Sequence, residues 1–215
     1  MCRLPTALAW LYGAIAGLAV IALFAAGNRA ARDTFLLGSV FWLIAVHLWL
    51  ARGVTPQARA ALVASGFLVI VPAALALAWL PAREVLAVLV LVWVADTAAY
   101  FFGRTWGRRQ LAPSISPAKT WEGALGGVGG ALAYAIILAA FAARSAWAAL
   151  LAAAALLAVI SIVGDLFESA AKRQAGVKDS GALLPGHGGI LDRIDSATAA
   201  LPLAALLLPW MRANA

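Results

Sequence analysis

The sequence predicts an all-α, polytopic transmembrane protein of about seven spans, with a polar, cytosol-facing cavity formed by its C-terminal helices. Two observations carry this expectation. The 215 residues are 65% hydrophobic and only 12% charged, with a mean hydropathy of +0.95, far above the roughly half-apolar composition of a soluble domain. The apolar residues also gather in runs long enough to cross a bilayer, which takes about 20 residues, while most charges sit in the connections between runs.

The first run, from Leu4 to Ala26, has one flanking positive charge, Arg3, as a signal peptide would. It exceeds the usual ~7–15-residue signal core and comparable runs follow it, so it reads as a retained span. Further runs at 35–51, 61–80, 84–102, 123–143, 146–166 and 194–211 complete the set. The second and last are short and the third contains Pro72, so a re-entrant segment is the alternative for a short run. Gly126, Gly127, Gly129 and Gly130 open the fifth span, where small residues let helix backbones approach; a backbone phosphate site is the competing reading. His47, without polar company in the second span, reads as a buried structural residue. The chain divides into N-terminal transmembrane helices over 1–83 and a region over 84–215 that carries the polar motifs.

Alternating the spans puts Arg3, Arg52, Arg59, Arg104, Arg108, Arg109, Lys119, Lys172, Arg173, Lys178 and Arg193 on one side, against Arg29, Arg32, Arg83, Arg144 and Arg212 on the other. The first side is expected to be cytoplasmic, as for an integral protein of the inner (plasma) membrane. The net charge of +7 forms neither a basic face nor an aromatic-interleaved ribbon, which excludes nucleic acid as a partner. Anionic lipid of the bilayer or a charged small substrate fits instead. A single cysteine, Cys2, excludes an internal disulfide and a cysteine-built metal site.

Chemistry concentrates in three places. Asp96 lies inside the fourth span, followed at helical spacing by Tyr100 and Gly103; an intramembrane carboxylate is expensive and faces a polar cavity or a partner. Ser116 to Gly123 ends one long loop: Lys119 can meet a phosphate as a point charge, Thr120 can donate a hydrogen bond, and Glu122 can pair with a cation. The competing reading makes Ser116 or Thr120 the cap of the fifth helix, with Glu122 in its first turn. The densest stretch runs from Ser169 to Asp195 and includes Lys172, Arg173, Lys178, Asp179, His187, Gly188, Gly189, Asp192, Arg193 and Asp195.

Asp165 and Glu168 precede that stretch at the end of the sixth span, one turn apart on one helical face. Two helices entering the same boundary from opposite chain directions can bring Asp165 and Asp192 together. Magnesium suits such a site, since it takes one or two carboxylates plus waters and phosphates. Asp192 and Asp195 also sit near a helix start, where capping explains one of them. The turn Pro185-Gly186-His187-Gly188-Gly189 offers backbone N–H groups to phosphate oxygens, with His187 as donor or ligand.

Read in order, Ser-x-x-Lys-Arg, four residues, Lys-Asp, and then Pro-x-His-Gly-Gly-x-x-Asp-Arg-x-Asp, from Ser169 through Asp195, this chain resembles the phosphatidate cytidylyltransferase (CDP-diacylglycerol synthase) family. Ser-Pro-x-Lys-Thr-Trp-Glu-Gly at 116–123 and Asp-x-x-Ala-Tyr-x-x-Gly at 96–103 resemble two further motifs of that family in the expected order. The resemblance covers about residues 90–211. Ala171 departs from it, standing where a larger aliphatic residue is usual, and the chain is shorter than typical bacterial members at its N-terminal end.

The resemblance implies a Mg2+-dependent nucleotidyltransferase that converts CTP and phosphatidate to CDP-diacylglycerol and pyrophosphate in phospholipid biosynthesis. It implies Asp165 and Asp192 as metal ligands, with a monovalent cation such as K+ nearby, and is compatible with a homodimer. Lys172, Arg173, Lys178, Asp179, His187, Arg193 and Asp195 are then the expected catalytic group. Asp96, Ser116, Lys119, Thr120, Glu122, Gly188 and Gly189 are the expected substrate contacts. The physical chemistry agrees: a phosphomonoester is largely ionised near neutral pH, its second pKa being about 6, so the obstacle is repulsion between two anions, which cations relieve. Transfer to another lipid phosphate or a polyprenol is the alternative substrate reading. A non-enzymatic transporter with an intramembrane aspartate is the alternative class, but it has no need of Lys-Asp, His-Gly-Gly and Asp-Arg-x-Asp in one loop.

Overall fold

A computed structural model of the chain describes residues 6–52, 59–142, 147–177, 189 and 191–213. Helix α1 (Thr6–Ala25) is followed by α2 (Asn28–Val40), which runs through a π-helical turn (Phe41–Val46) into α3 (His47–Ala51). Then come α4 (Arg59–Trp79), α5 (Ala82–Trp106), strands β1 (Gln110–Ala112) and β2 (Ser116–Thr120), α6 (Trp121–Ala142), α7 (Trp147–Gln174) and α8 (Leu191–Ala213). Among the described residues, seven helical segments are long and apolar enough to cross a membrane, as the hydropathy pattern predicts.

Two boundaries differ most from the apolar runs, each because amphipathic turns extend a helix beyond its greasy part. The second crossing begins at Asn28, where Arg29, Arg32 and Asp33 point outward while Ala31 and Phe35, one turn apart, are buried. Helix α7 continues past residue 166 to Gln174 because Phe167, Ala170 and Ala171 prolong its buried face. This carries Asp165, Glu168, Lys172 and Arg173 on one continuous rigid element.

Helices α7 and α8 form the centre of the bundle; α1 lies at its edge, with 6% of its apolar window buried against 56% and 61% for α7 and α8. Small residues make the central contact close. A Cβ on Gly164 would stand 2.8 Å from the carbonyl oxygen of Asp195 and 2.9 Å from Ala199 Cβ, so this glycine lets the backbones of α7 and α8 nearly touch. The glycines that open α6 do the same against α5: a Cβ on Gly127 would lie 3.0 Å from the Ala95 carbonyl oxygen, and one on Gly126 would strike Phe102. Helix packing is thus the visible role of Gly126, Gly127 and Gly130, whereas Gly129 faces open space.

The π-turn gathers rings around α7. Trp42 and Trp49 stand with their ring centroids 5.2 and 5.1 Å from that of Phe167, both edge-on, the favoured aromatic geometry. His47 is exposed rather than buried, yet its role is structural: Nδ1 lies 3.0 Å from the Trp42 carbonyl oxygen, within the turn where the regular helical ladder is interrupted. One apolar core joins both sequence regions, Phe35 and Trp42 packing with Leu157, Ile160, Ala200 and Ala204.

Among the described residues, two short strands form in the loop before α6. Strands β1 and β2 pair antiparallel, with Gln110 opposite Thr120 and Ala112 opposite Ser116. The hairpin folds because Ile115 can be buried against Leu166 and Ala170 of α7, with Leu111 packed beside them. The Trp121 N–H then donates to the Arg109 carbonyl at 2.9 Å, closing the base.

Candidate active site

A cavity of about 460 Å³ opens between α5, the hairpin, the start of α6 and α7, within the size range of small-molecule sites. Helix α5 supplies Asp96, Tyr100 and Arg104, which follow one another at four-residue spacing and so share one face. The hairpin supplies Ser116, Lys119 and Thr120, and α7 supplies Asp165. Arg104 Nη1 donates to Tyr100 Oη at 2.7 Å. Arg104 was recognisable in the sequence only as a loop-side cation, although its spacing from Asp96 and Tyr100 would have put it on their face.

At one end of this cavity carboxylates from three helices meet. Lys119 forms an ion pair with Asp165. Asp96 faces Asp165, Asp195 and Lys119 and shares a hydrogen bond with Ser196. Asp195 lies beside Asp165 and within hydrogen-bonding reach of Glu168, and its Oδ1 accepts the Ser196 N–H at 2.8 Å. Glu168 is 2% exposed and its Oε2 lies 3.3 Å from Lys172 Nζ. The close approach at Gly164 explains the grouping: Asp165 follows it on α7, and Asp195 is the residue whose carbonyl it touches on α8.

Among the described residues, four carboxylates therefore share this corner with the ammonium groups of Lys119 and Lys172, a formal excess of negative charge within a bundle of apolar helices, where unpaired charge is costly. Hard oxygen donors in excess suit a divalent cation such as magnesium. Among the described residues no three histidine, cysteine or acidic side chains converge as a ready-made metal cluster; magnesium needs only one or two, the rest coming from water and phosphate.

The remaining predicted site residues fall into three groups. Some hold the frame: Thr120 Oγ1 accepts the Gly123 N–H at 3.1 Å and so caps α6 while also lining the cavity. Glu122 Oε2 accepts the backbone N–H groups of Arg108 and Arg109 at 3.0 and 3.2 Å, tying the end of α5 to the start of α6. Arg173 donates through Nε to the Ile115 carbonyl, which pins the hairpin onto α7. Gly189 is buried. Lys178, Asp179, His187 and Gly188 lie outside the described residues, as do the side chains of Asp192 and Arg193 in the first turn of α8. The expected meeting of Asp165 with Asp192 thus falls outside what is described; Asp96 and Asp195 are the carboxylates seen beside Asp165.

The Cytidylyltransferase family description matches residues 2–211. The chain is 43% identical over 210 residues to the Pseudomonas aeruginosa protein named phosphatidate cytidylyltransferase, covering 92% of this chain and 76% of that one. It is 51% identical over 120 residues to the Haemophilus influenzae protein of the same name, covering 54% of this chain and 42% of the relative. A Brucella suis protein, again so named, is 48% identical over 113 residues, covering 53% and 42%. The match thus spans less than half the length of the Haemophilus and Brucella relatives and about three quarters of the Pseudomonas one. With the family description covering nearly the whole sequence, this chain belongs to the cytidylyltransferase family.

Proposed function

We propose that the protein transfers CMP from CTP to phosphatidate, giving CDP-diacylglycerol and pyrophosphate, with magnesium required. The observation that carries this reading is the junction of Lys119 and Asp165, flanked by Asp96 and Asp195, at the end of a cavity built from membrane helices. The names of the relatives support the substrate pair. A diacyl substrate can slide between helices from the bilayer while its headgroup stays at the boundary where a nucleotide arrives.

In the proposed reaction a phosphatidate phosphate oxygen attacks the α-phosphorus of CTP in line, and the bond from that phosphorus to the bridging oxygen breaks as pyrophosphate leaves. No proton need be removed from an attacking oxygen that is already ionised. The task of the chain is to hold two anions together. Lys119 and Arg104 line the cavity and are suited to meet the phosphates, Lys119 as a point charge and Arg104 as a planar fork. Tyr100 orients Arg104 through the 2.7 Å hydrogen bond. Asp165, with Asp192 or Asp195, would hold magnesium. The ion when bound supplies charge neutralisation at the α-phosphate and at the leaving group. Lys172 and Arg173 act from α7, Lys172 by balancing Glu168 and Arg173 by fixing the hairpin that presents Lys119.

The cavity is proposed to face the cytoplasm of the inner membrane, because the sequence assigns most lysines and arginines to the connections at that end. A nearby monovalent cation and a homodimer rest on the family resemblance. The deciding experiment is incorporation of labelled CTP into lipid by the purified protein, with magnesium present and then chelated. Phosphatidate should serve and an ether-lipid phosphate or polyprenol should not; the reverse preference would transfer the reading to the alternative lipid.

A further inference from the structure

A second cavity, about 210 Å³, lies at the opposite end of the helices from Asp165, between the start of α5, the later part of α6, the start of α7 and the end of α8. The mechanism makes no use of it. Its walls are apolar apart from the Tyr134 hydroxyl, with Val88, Leu138 and Leu150 among them, whereas its rim carries Arg83, Glu84 and Arg212. Arg212 Nη1 lies 3.2 Å from Glu84 Oε1. The other carboxylate oxygen, Oε2, is buried and accepts no hydrogen bond among the described residues. Arg83 is exposed at the rim and makes no ion pair among the described residues.

Each feature specifies part of a ligand. Among the described residues, two guanidinium groups stand against one carboxylate, a formal positive charge that calls for a single negative charge. A buried carboxylate oxygen without a donor is costly and calls for an O–H or N–H. The apolar groove calls for hydrocarbon. We infer that this cavity binds a phospholipid bearing one net negative charge and a hydroxylated headgroup, its phosphodiester at Arg83, a headgroup hydroxyl donating to Glu84 Oε2, and part of one acyl chain along the groove. A choline headgroup lacks the donor. An ethanolamine headgroup has a donor, but its lipid is net neutral and leaves the charge uncompensated. Because α5 and α8 both run from this rim to the acidic corner, carrying Asp96 and Asp195 respectively, such a lipid braces the far ends of two catalytic helices.

The test uses the full chain, purified in detergent and stripped of lipid, then titrated with phosphatidylglycerol, phosphatidylethanolamine and phosphatidylcholine of matched acyl chains. Native mass spectrometry reads retained lipid and a melting curve reads stabilisation. Phosphatidylglycerol should bind about tenfold more tightly than phosphatidylcholine, the scale of one charged hydrogen bond. Arg83→Gln should erase most of that advantage, and Leu138→Phe, which narrows the groove and leaves the charges alone, should weaken all three lipids. Equal binding of the three by the unaltered protein overturns the inference. So does an advantage of phosphatidylglycerol that survives Arg83→Gln, or, should that variant not fold, binding undiminished by Leu138→Phe. Stabilisation by inorganic phosphate equal to that by phosphatidylglycerol also overturns it, since the groove would then have no part.

Discussion

Lys119 of the hairpin and Asp165 of α7 form an ion pair at the polar end of the membrane cavity. The pair joins two segments that are far apart in the chain, and neither could reach the other unless the hairpin were held against α7. Ile115, buried against Leu166 and Ala170, provides that hold, and Arg173 locks it through the Ile115 carbonyl.

Asp165→Asn removes the carboxylate that faces Lys119 while keeping its shape. CTP-dependent pyrophosphate release should fall roughly 100-fold or more, the scale of losing one electrostatic element of a transition state, with membrane insertion unchanged. Asp192→Asn is expected to behave alike. Near-normal turnover in both variants would remove the metal assignment.

Gly164→Val tests the packing that places Asp165 beside Asp195. A side chain there meets the Asp195 carbonyl and Ala199 Cβ, 2.8 and 2.9 Å from the first carbon alone, and neither can swing away. Overpacking of this kind costs about 1–3 kcal/mol, so the melting temperature in detergent and the turnover should drop together. An unchanged melting temperature would mean that α7 and α8 adjust more freely than their contact implies.

Arg173→Ala should loosen the hairpin without touching the cavity wall. The expected signature is faster proteolysis between β1 and β2 and a raised KM for CTP, with restoration incomplete in Arg173→Lys because a lysine lacks the planar guanidinium. A fall in kcat alone, with the hairpin as protected as before, would instead assign Arg173 to the reacting groups.

Thr120→Ala removes the oxygen that caps α6 and should destabilise the protein by about 1 kcal/mol, whereas Thr120→Ser keeps the cap. Comparing the two by thermal melting and by KM separates capping from substrate contact. If Ser restores stability and not KM, the methyl group matters to the cavity.

Chelating magnesium should stop transfer and readdition should restore it. Calcium should substitute poorly, because its longer, more numerous oxygen bonds fit the compact phosphate geometry less well. Activity that persists through exhaustive chelation would end the proposal of a divalent ion.

The sequence by itself determined the class of the molecule: runs of apolar residues have few choices in a bilayer, since every backbone polar group must be satisfied within a helix or a closed barrel. It also marked Asp96 as needing a reason to lie where it does, because charge within a span is expensive, and singled out Lys119, Asp165 and Asp195 near the span ends as groups fit for phosphate or metal chemistry. Which of them meet was decided only by tertiary structure. The meeting depends on the absence of a side chain at Gly164, on a hairpin whose few residues carry too little alternation to announce two strands, and on a helix that outlasts its apolar run by two turns. Long-range contacts of that kind leave no periodic trace in a chain. The capping role of Thr120, with Glu122 in the first turn, was one of two readings the sequence offered, and the fold realises it; the reach of Glu122 to the end of α5 and of Arg173 to the Ile115 carbonyl was not legible, because these bonds satisfy backbone groups that only the tertiary structure brings near.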